Sequence, residues 1–382
     1  MASIRKRGDN KYLITVSAGY DRDGKKIAKY KTVGIDPELT PKRAEKEAER
    51  LAVLFEEEVK SGSHLDANIT FSKFTELWLE EHAKKRLERS TIDSYSAELN
   101  TKILPSLGHI KLTDLKPIHI IKFLDNLTEE GARLDGKPGS YSTRIIKYQH
   151  SIISSILQTA VYWQLLNTNA TRNVRPPKGT PKNNNSNFFD EFQVQSFLEY
   201  VKASEPVHHQ ALALITTYGG LRKGEVLALT WGDLDFKNRT VSINKAVGRA
   251  GKEIYTKLPK NKSSIRVVTL PQAVFNVLGK FLSLDKGKLI FEFSYDFPSQ
   301  WFKRVLRRYN ENHEVKLPEN VTFHGLRHTS ATLLISQGLD IKTVSARLGH
   351  NDTTTTLNIY AHALQSKDKV ASDALENIIN IN

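Results

Sequence analysis

The chain has 382 residues, of which 39% are hydrophobic and 26% charged, and it contains no cysteine. Such a chain can form two or three domains with packed cores, while disulfides, thiolate metal sites and a cysteine nucleophile are excluded. The formal net charge of +14 favours a polyanionic partner such as nucleic acid. No apolar run is long enough to span a bilayer, and the first residues do not resemble a secretory signal. We therefore expect a cytoplasmic protein without a membrane partner.

The first block, residues 1–62, has the pattern of a small sheet followed by a helix. Residues 12–16 and 27–33 predict strands, and residues 21–24 predict a hairpin turn between them. Thr40-Pro41 predicts the start of the helix. A basic sheet can enter a groove of DNA, although a solvated lysine face is the alternative. The candidate DNA contacts of this block are Arg5, Lys6, Arg7, Lys29 and Lys31.

The second block, residues 70–175, is predicted to be a helical bundle. Its first helix carries apolar residues from Phe71 to Leu79, and Ser90-Thr91 is expected to cap the second. Residues 104–108, Leu-Pro-Ser-Leu-Gly, are expected to break the chain. Ser140 is expected to cap a long final helix. The candidate phosphate contacts of this block are Lys84, Lys85, Arg86, Arg89, Arg144 and Lys147.

Two segments are predicted to be linkers because they lack the apolar residues that a core needs. Residues 63–69 form the shorter one. Residues 176–187 are rich in proline, lysine and asparagine and are the clearest linker in the chain. A basic flexible connection of this kind would allow the bundle and the downstream domain to close around a duplex.

The third block carries candidate catalytic residues at the ends of predicted helices. Arg222 and Glu225 lie three residues apart at the start of one helix, and His324 and Arg327 have the same spacing in another. Residues 241–243, 253–257 and 264–270 predict three strands of one small sheet, with a turn at residues 260–263. Leu348-Gly349-His350 is expected to end a short helix, and residues 353–356 to begin the helix bearing Tyr360.

Each of these features has an ordinary structural explanation when it is taken alone. A histidine is more often a packed or surface residue, an arginine near a glutamate is usually a surface pair, and Tyr360 would ordinarily be packing. The ordered set changes this interpretation, because it occurs in a basic chain that lacks the sequence signals of two common alternatives. These are paired carboxylates for a two-metal nuclease and a glycine-rich phosphate loop.

The segments Gly220-Leu221-Arg222-x-x-Glu225, His324-x-Leu326-Arg327-His328 and Leu348-Gly349-His350, followed by Tyr360, closely resemble the signatures of the tyrosine recombinase family, also called the phage integrase family. The resemblance implies a multidomain α+β protein that is mainly helical. Residues 1–62 would form an arm-type DNA-binding domain with a three-stranded sheet and one helix, and residues 70–175 a helical core-binding domain. After the linker at 176–187, residues 188–365 would form a mainly helical catalytic domain with a small sheet. The tail, residues 366–382, would dock on a neighbouring protomer.

The resemblance also assigns roles, and these agree with the chemistry of phosphodiester cleavage. Tyr360 would attack the phosphodiester and form a covalent 3′-phosphotyrosyl bond. Arginine gives bidentate, permanently charged hydrogen bonds to phosphate oxygens, so the two arginines would hold the scissile phosphate without a metal or cofactor. The histidines would assist proton transfer and donate to the phosphate, and a hairpin lysine would protonate the leaving 5′ oxygen. The implied catalytic set is Arg222, Lys260, His324, Arg327, His350 and Tyr360, with Glu225 orienting Arg222.

Two points remain open from the sequence. Both Lys260 and Lys262 fit the hairpin lysine, and Lys260 is favoured because the pattern through Arg266 resembles family hairpins whose first lysine is catalytic. The expected function is a mobile-element integrase, acting as a homotetramer on core-type and arm-type DNA sites, with excisionase and DNA-bending proteins as accessory partners. The alternatives are a cellular Xer-like or invertase-type recombinase, a type IB topoisomerase, and a non-catalytic DNA-binding regulator. The arm-like first domain argues against a cellular recombinase, and the complete residue set against a regulator.

Overall fold

A computed structural model describes residues 2–8, 10–20, 26–37, 39–60, 69–178, 187–258 and 264–350, with isolated positions 352, 353, 357, 372, 376 and 378. The chain forms two compact units, Met1–Thr180 and Pro181–Asn382. The predicted mainly helical α+β class with small antiparallel sheets is confirmed. Several predicted features lie outside the described residues: the turn at 21–24, most of both linkers, the turn with Lys260 and Lys262, Tyr360, and nearly all of the tail.

The amino-terminal block is a three-stranded antiparallel sheet in the order β1-β2-β3, followed by a helix, as predicted. The strands are β1 (Ser3–Gly8), β2 (Lys11–Tyr20) and β3 (Lys26–Gly34), and the helix is α1 (Pro41–Lys60). Alternate residues of β2, Tyr12, Ile14 and Val16, are buried, as expected for a sheet with one packed face. They pack with α1 residues such as Phe55, so the period of two in β2 places the core between sheet and helix.

The second block is helical and has its own core. Its helices are α2 (Phe71–Trp78), α3 (Lys84–Arg86), α4 (Arg89–Glu98), α5 (Leu104–Leu107), α6 (Pro117–Asn126) and α7 (Thr143–Tyr162). A π-helical turn, Leu79–Ala83, joins α2 to α3, and a second, Leu99–Ile103, joins α4 to α5. In the core, the indole of Trp78 donates a hydrogen bond to Thr159 Oγ1 at 3.0 Å, which ties α2 to α7.

Two predicted helix caps in this block are wrong, and a predicted break is correct only at its end. Helix α4 begins at Arg89 with Glu88 in the capping position, so Ser90 lies inside the helix. The cap of α7 is Ser142, whose side chain accepts from the backbone N–H of Ile145. The break predicted at residues 104–108 comes only after Leu107, because the π turn before this segment leads directly into α5, which ends there. A π turn is wider than an α turn and accommodates Pro105, which would otherwise clash with the preceding turn and interrupt the hydrogen bonds.

The described residues of the second unit form helices and two small sheets. The elements are α8 (Glu191–Ser204), α9 (Val207–Gly219), α10 (Lys223–Leu227), β4 (Leu234–Asp235), β5 (Thr240–Ile243), β6 (Ala246–Ala250), β7 (Glu253–Lys257), β8 (Arg266–Thr269), α11 (Gln272–Gly279), α12 (Phe297–Asn312), α13 (Gly325–Ser336) and α14 (Ile341–Leu348). Helix α9 packs against both α11 and α13 in the main core. Within the described part of the chain, no helix is long and apolar enough to cross a membrane.

The predicted three-stranded arrangement of this unit is only partly correct. Strands β5 and β8 do pair, but the third strand of their sheet is β4, in the order β4-β5-β8. Strand β7 pairs instead with β6 in a separate two-stranded ribbon. Gly251, with φ of +56°, begins the two-residue turn between β6 and β7, a backbone conformation that favours glycine and closes tight hairpins. Strand β6 was not predicted, because its sequence, Ala-Val-Gly-Arg-Ala, is a weak strand pattern.

Candidate active site

The first arginine of the site lies in a sharp turn between two helices. Helix α9 ends at Gly219, and Gly220 follows in the left-handed conformation with φ of +61°. A Cβ atom at Gly220 would lie 2.3 Å from Leu348 Cδ2, so only glycine allows the turn to approach the end of α14. Arg222 then occupies the position before α10. The turn therefore brings Arg222 next to the end of α14.

This close approach leads to a prediction about stability. Gly220→Ala is expected to lower the melting temperature of the full chain at least about twice as much as Gly338→Ala, because it adds a clash to the left-handed strain. Gly338 is the matched control: its φ is +89°, but a Cβ there would meet nothing within 4 Å. For the control we expect a shift of about 3 °C. Equal shifts for the two variants, measured by thermal unfolding, would show that the packing at Gly220 is not tight.

Arg222 is held by a carboxylate and by the end of α14. Glu225 Oε2 accepts from the backbone N–H of Arg222 at 2.9 Å, and Oε1 accepts from Arg222 Nη1 at 2.7 Å. Arg222 Nη2 donates to the carbonyl oxygen of Gly349 at 2.9 Å. Glu225 is buried, whereas the side chain of Arg222 is 36% exposed. Arg222 is therefore positioned from behind and can still reach a ligand from solvent.

Arg327 lies in the first turn of α13 and is only 1% exposed. Its Nη1 donates to the carbonyl oxygen of Gly220 at 2.6 Å, and Nη1 also lies 4.0 Å from Glu225 Oε2. Its Nη2 has no hydrogen-bond partner among the described residues. Burial, reinforced by nearby Arg222, lowers the pKa of Arg327 to about 9, so the guanidinium stays charged at neutral pH. A buried, charged donor of this kind is a strong site for an anionic oxygen.

Three histidines lie around the two arginines. His324 precedes α13, and its ring meets that of His328 edge to face at a centroid distance of 4.8 Å. His350 follows Gly349, which ends α14 in the predicted left-handed conformation. Burial, together with the neighbouring guanidinium groups, lowers the pKa of His324 and lowers that of His350 to about 4. Both imidazoles are therefore neutral at physiological pH, and each can donate one hydrogen bond and accept another.

The fold thus brings four of the predicted residues together next to Glu225: Arg222, His324, Arg327 and His350. We call these four residues the arginine pocket. The other two predicted catalytic residues, Lys260 and Tyr360, lie outside the described residues. The pocket offers two permanent cations and neutral imidazole donors. That combination suits a phosphate group with negative charge on more than one oxygen. Within the described ranges, no group of three histidine, aspartate or glutamate side chains could hold a metal ion.

One member of this network, Arg266 on β8, was not among the residues predicted from the sequence. Its Nη2 donates to Glu225 Oε2 at 2.9 Å, so Glu225 is shared between two arginines. The signal was the alternation of β8, because Arg266 has the same inward parity as the buried Val268 and Leu270. An arginine at an inward strand position requires a buried acidic partner.

The basic residues predicted to contact DNA through the amino-terminal sheet do not share one face. In the strand register, Lys6 is opposite Tyr12, Lys31 opposite Ile14 and Lys29 opposite Val16, so these lysines lie on the face that packs on α1. Arg5 is opposite Leu13 and lies on the open face. Direct partners across a sheet point to the same side, so a single basic surface made of all these residues is excluded. Arg7 is exposed beyond the regular register, and its DNA contact stays a prediction.

The basic candidates of the helical block are exposed. Lys84 and Lys85 form ion pairs with Glu80 and Glu81 one helical turn earlier. Arg144 and Lys147 lie three residues apart at the start of α7, where they share one face of the helix. Arg86 and Arg89 are exposed at the end of α3 and the start of α4. Their accessibility permits phosphate contacts, which remain predictions.

Two family models match parts of the chain. Residues 187–367 match the phage integrase family, and residues 70–128 match the phage integrase N-terminal SAM-like domain. The chain belongs to the phage integrase family. It is therefore a tyrosine recombinase, an enzyme of the class that cleaves and rejoins DNA. The matched range 187–367 contains the arginine pocket and both residues of the predicted catalytic set that lie outside the described residues.

Relatives and solved structures agree with this assignment. The chain is 25% identical to a tyrosine recombinase XerC-like protein of Caldanaerobacter subterraneus subsp. tengcongensis, over 98% of this chain and 97% of that protein. It is 23% identical to the integrase of Staphylococcus phage L54a, over 84% of this chain and 96% of that protein. Its fold is similar to the Tn1549 transposon integrase in complex with a circular intermediate DNA. That structure has a TM-score of 0.65 at 21% identity and covers 80% of this chain and 99% of the other.

Proposed function

We propose that the chain is the site-specific recombinase of a mobile genetic element, which cuts and rejoins DNA to integrate and excise that element. The observation that carries the proposal is the arginine pocket. Arg222 is half-exposed and oriented by Glu225, while Arg327 is buried with a free Nη2 among the described residues. The similarity to phage and transposon integrases supports a mobile-element role over a cellular one.

The cleavage step follows from the chemistry of the pocket. The phenolic oxygen of Tyr360 attacks the phosphorus, and a pentacoordinate transition state forms with extra negative charge on the non-bridging oxygens. Arg222 and Arg327 stabilise that charge, because guanidinium groups are permanently charged and donate two aligned hydrogen bonds. A tyrosine has an ordinary pKa of about 10, so the same cations also favour its deprotonated form.

Proton transfers complete the step. His324 and His350 are neutral, so either can donate a hydrogen bond to the phosphate, and His324 can accept the phenolic proton. Lys260 protonates the 5′ oxygen as it leaves. The product is a 3′-phosphotyrosyl bond, which retains the energy of the original phosphodiester. A 5′-hydroxyl from a partner strand reverses the step and releases Tyr360, so the exchange balances without ATP.

The partner is double-stranded DNA, and the stoichiometry of strand exchange implies four protomers. Recombination between two duplexes cuts four strands, and each chain supplies one tyrosine nucleophile. In this arrangement residues 1–62 bind arm-type sites, and residues 70–175 bind core-type sites. Accessory excisionase and DNA-bending proteins would set the direction of the reaction.

The tail gives a prediction about assembly. Deletion of residues 366–382 is expected to leave binding to a single core site unchanged, because the arginine pocket is complete without the tail. The same deletion is expected to reduce the yield of paired, two-site complexes at least tenfold in gel mobility assays. Unchanged recombination by the truncated chain would rule out a role for the tail in joining protomers.

One plasmid experiment separates the candidate functions. The chain is incubated with a supercoiled plasmid that carries two copies of the joined element ends, and with the same plasmid lacking them. A recombinase yields deletion or inversion products only when both sites are present. Relaxation of the plasmid without sites would indicate a topoisomerase, and binding without any strand cleavage would indicate a regulator.

A further inference from the structure

Arg266 is an almost fully buried cation that the proposed cleavage step does not use. It lies at the start of β8 opposite Ile243 of β5, and its side chain is only 7% exposed. Burial of an arginine is unfavourable unless its donors are satisfied. Here they are: Nη2 donates to Glu225 Oε2 at 2.9 Å, Nη1 to Glu225 Oε1 at 3.2 Å and to the Ser264 carbonyl at 3.1 Å. The guanidinium thus forms a two-pronged contact with Glu225.

The shared carboxylate determines how much charge Arg222 can offer to a ligand. Glu225 Oε1 also accepts from Arg222 Nη1. If Arg222 were the only partner, the buried carboxylate would neutralise it and hold it away from a phosphate. With Arg266 in place, two guanidinium groups share one carboxylate, so one net positive charge remains on the side that faces solvent. The hydrogen bonds of Arg266 also keep the pKa of Glu225 below its ordinary value, against the opposing effect of burial.

Arg266 has a second contact, which reaches the other side of the arginine pocket. Its Nε donates to the carbonyl oxygen of Arg347 at 2.7 Å. Arg347 lies in the last turn of α14, two residues before Gly349, whose carbonyl accepts from Arg222 Nη2. His350 follows directly. Arg347 returns the contact, because its Nη2 donates to the Thr269 carbonyl at the other end of β8. Strand β8 is therefore fastened to the segment that carries His350.

From these contacts we infer that Arg266 is a positioning residue of the recombinase. Through Glu225 it fixes the orientation and free charge of Arg222, and through the Arg347 carbonyl it fixes the end of α14 and His350. It does not itself contact the scissile phosphate. This inference rests on the proposed function, because it presumes that the arginine pocket binds a phosphodiester during cleavage.

The test measures single-turnover cleavage of a nicked duplex that carries the joined ends of the element encoding the chain. Arg266→Met, which keeps much of the volume and removes the charge, is expected to cleave about 10²-fold more slowly. Arg266→Lys is expected to lose about tenfold, because lysine supplies charge to Glu225 but not the two-pronged contact and the bond to Arg347 together. Single-site DNA binding is expected to stay within about threefold of the unmodified chain. The matched control is Arg307→Met, an exposed arginine of α12 paired with Glu311, which should cleave at the normal rate.

A double-mutant cycle with Glu225→Gln distinguishes positioning from general structural support. If Arg266 acts through Glu225, Glu225→Gln should cost less in the Arg266→Met background than in the unmodified chain, because the contact between Arg266 and Glu225 is already absent and only the direct bonds of Glu225 to Arg222 remain to be lost. In the Arg266→Lys background, which keeps part of the contact, the same reduction should be present but smaller. Multiplied losses would overturn the inference, as would a normal cleavage rate for Arg266→Met. If Arg266→Met does not fold, the cycle with Arg266→Lys gives the same decision. Failure of the unmodified chain to form a Tyr360-dependent adduct would instead overturn the proposed function.

Discussion

Arg327→Met is expected to slow DNA cleavage by about 10³-fold, at the upper end of the loss seen when one preorganised donor to a developing negative charge is removed. Arg327 is buried, and its Nη1 is fixed on the Gly220 carbonyl while Nη2 remains available in the described structure. Its guanidinium is therefore already aligned before DNA binds. Arg327→Lys should be almost as slow, because one ammonium group cannot hold the Gly220 carbonyl and a phosphate oxygen in the same geometry.

Slow cleavage by Arg327→Met must be distinguished from the loss of one positive charge and from misfolding. Arg304→Met changes an exposed arginine of α12 and should leave cleavage unaltered. Methionine at 327 replaces a buried cation by an apolar side chain of similar length, so the fold is expected to survive. Binding to a single duplex should remain within a few fold, since many other basic residues contribute to it. Cleavage within tenfold of normal by a folded Arg327→Met would remove Arg327 from the catalytic set.

Lys260→Ala is expected to slow cleavage by 10² to 10⁴-fold, the usual contribution of a general acid, whereas Lys262→Ala should only weaken DNA binding. Both lysines lie outside the described residues, but strands β7 and β8 on either side of them are described. Strand β8 begins at Arg266, which is bonded to Glu225 in the arginine pocket. The described strand that follows the two lysines in the sequence is therefore bonded to the residues around the arginine pocket.

A substrate with sulfur in place of the bridging 5′ oxygen isolates the proton transfer. A thiolate leaves without protonation, because thiols are far more acidic than alcohols. Cleavage of this substrate by Lys260→Ala is therefore expected to recover to near the normal rate, while an arginine variant such as Arg327→Met should remain slow. Recovery of Lys262→Ala instead, with Lys260→Ala unaffected by the sulfur, would reverse the assignment of the general acid.

Features set by local chemistry could be predicted from the sequence. The left-handed glycine at Gly349, the helix start at Thr40-Pro41 and the sheet with alternating burial in β2 each depend on a few neighbouring residues. The placement of Arg222 beside Glu225 also follows from a spacing of three at a helix start. For such features the physical cause lies within one or two turns of the chain.

Features that depend on distant partners could not be predicted in the same way. Pro105 appeared to break a helix, but a π turn at residues 99–103 accommodates it. The pairing of β7 with β6 required a turn at Gly251 and a strand with a weak pattern of its own. The role of Arg266 depends on Glu225, 41 residues earlier in the chain. The split of the amino-terminal lysines between two faces depends on strand register, which a list of basic residues does not specify.

In the proposed reaction, Tyr360 forms a covalent bond to the 3′ phosphate of a cleaved DNA strand. The measurement uses a duplex of the joined element ends with a nick beside the cleavage position. After cleavage, the short fragment that carries the freed 5′-hydroxyl diffuses away, and the covalent adduct is trapped. We expect a denaturation-resistant protein–DNA band that is absent for Tyr360→Phe, and a peptide containing Tyr360 linked to a 3′ phosphate after digestion. An adduct formed equally well by Tyr360→Phe, or a bond to a 5′ phosphate, would contradict the proposed reaction.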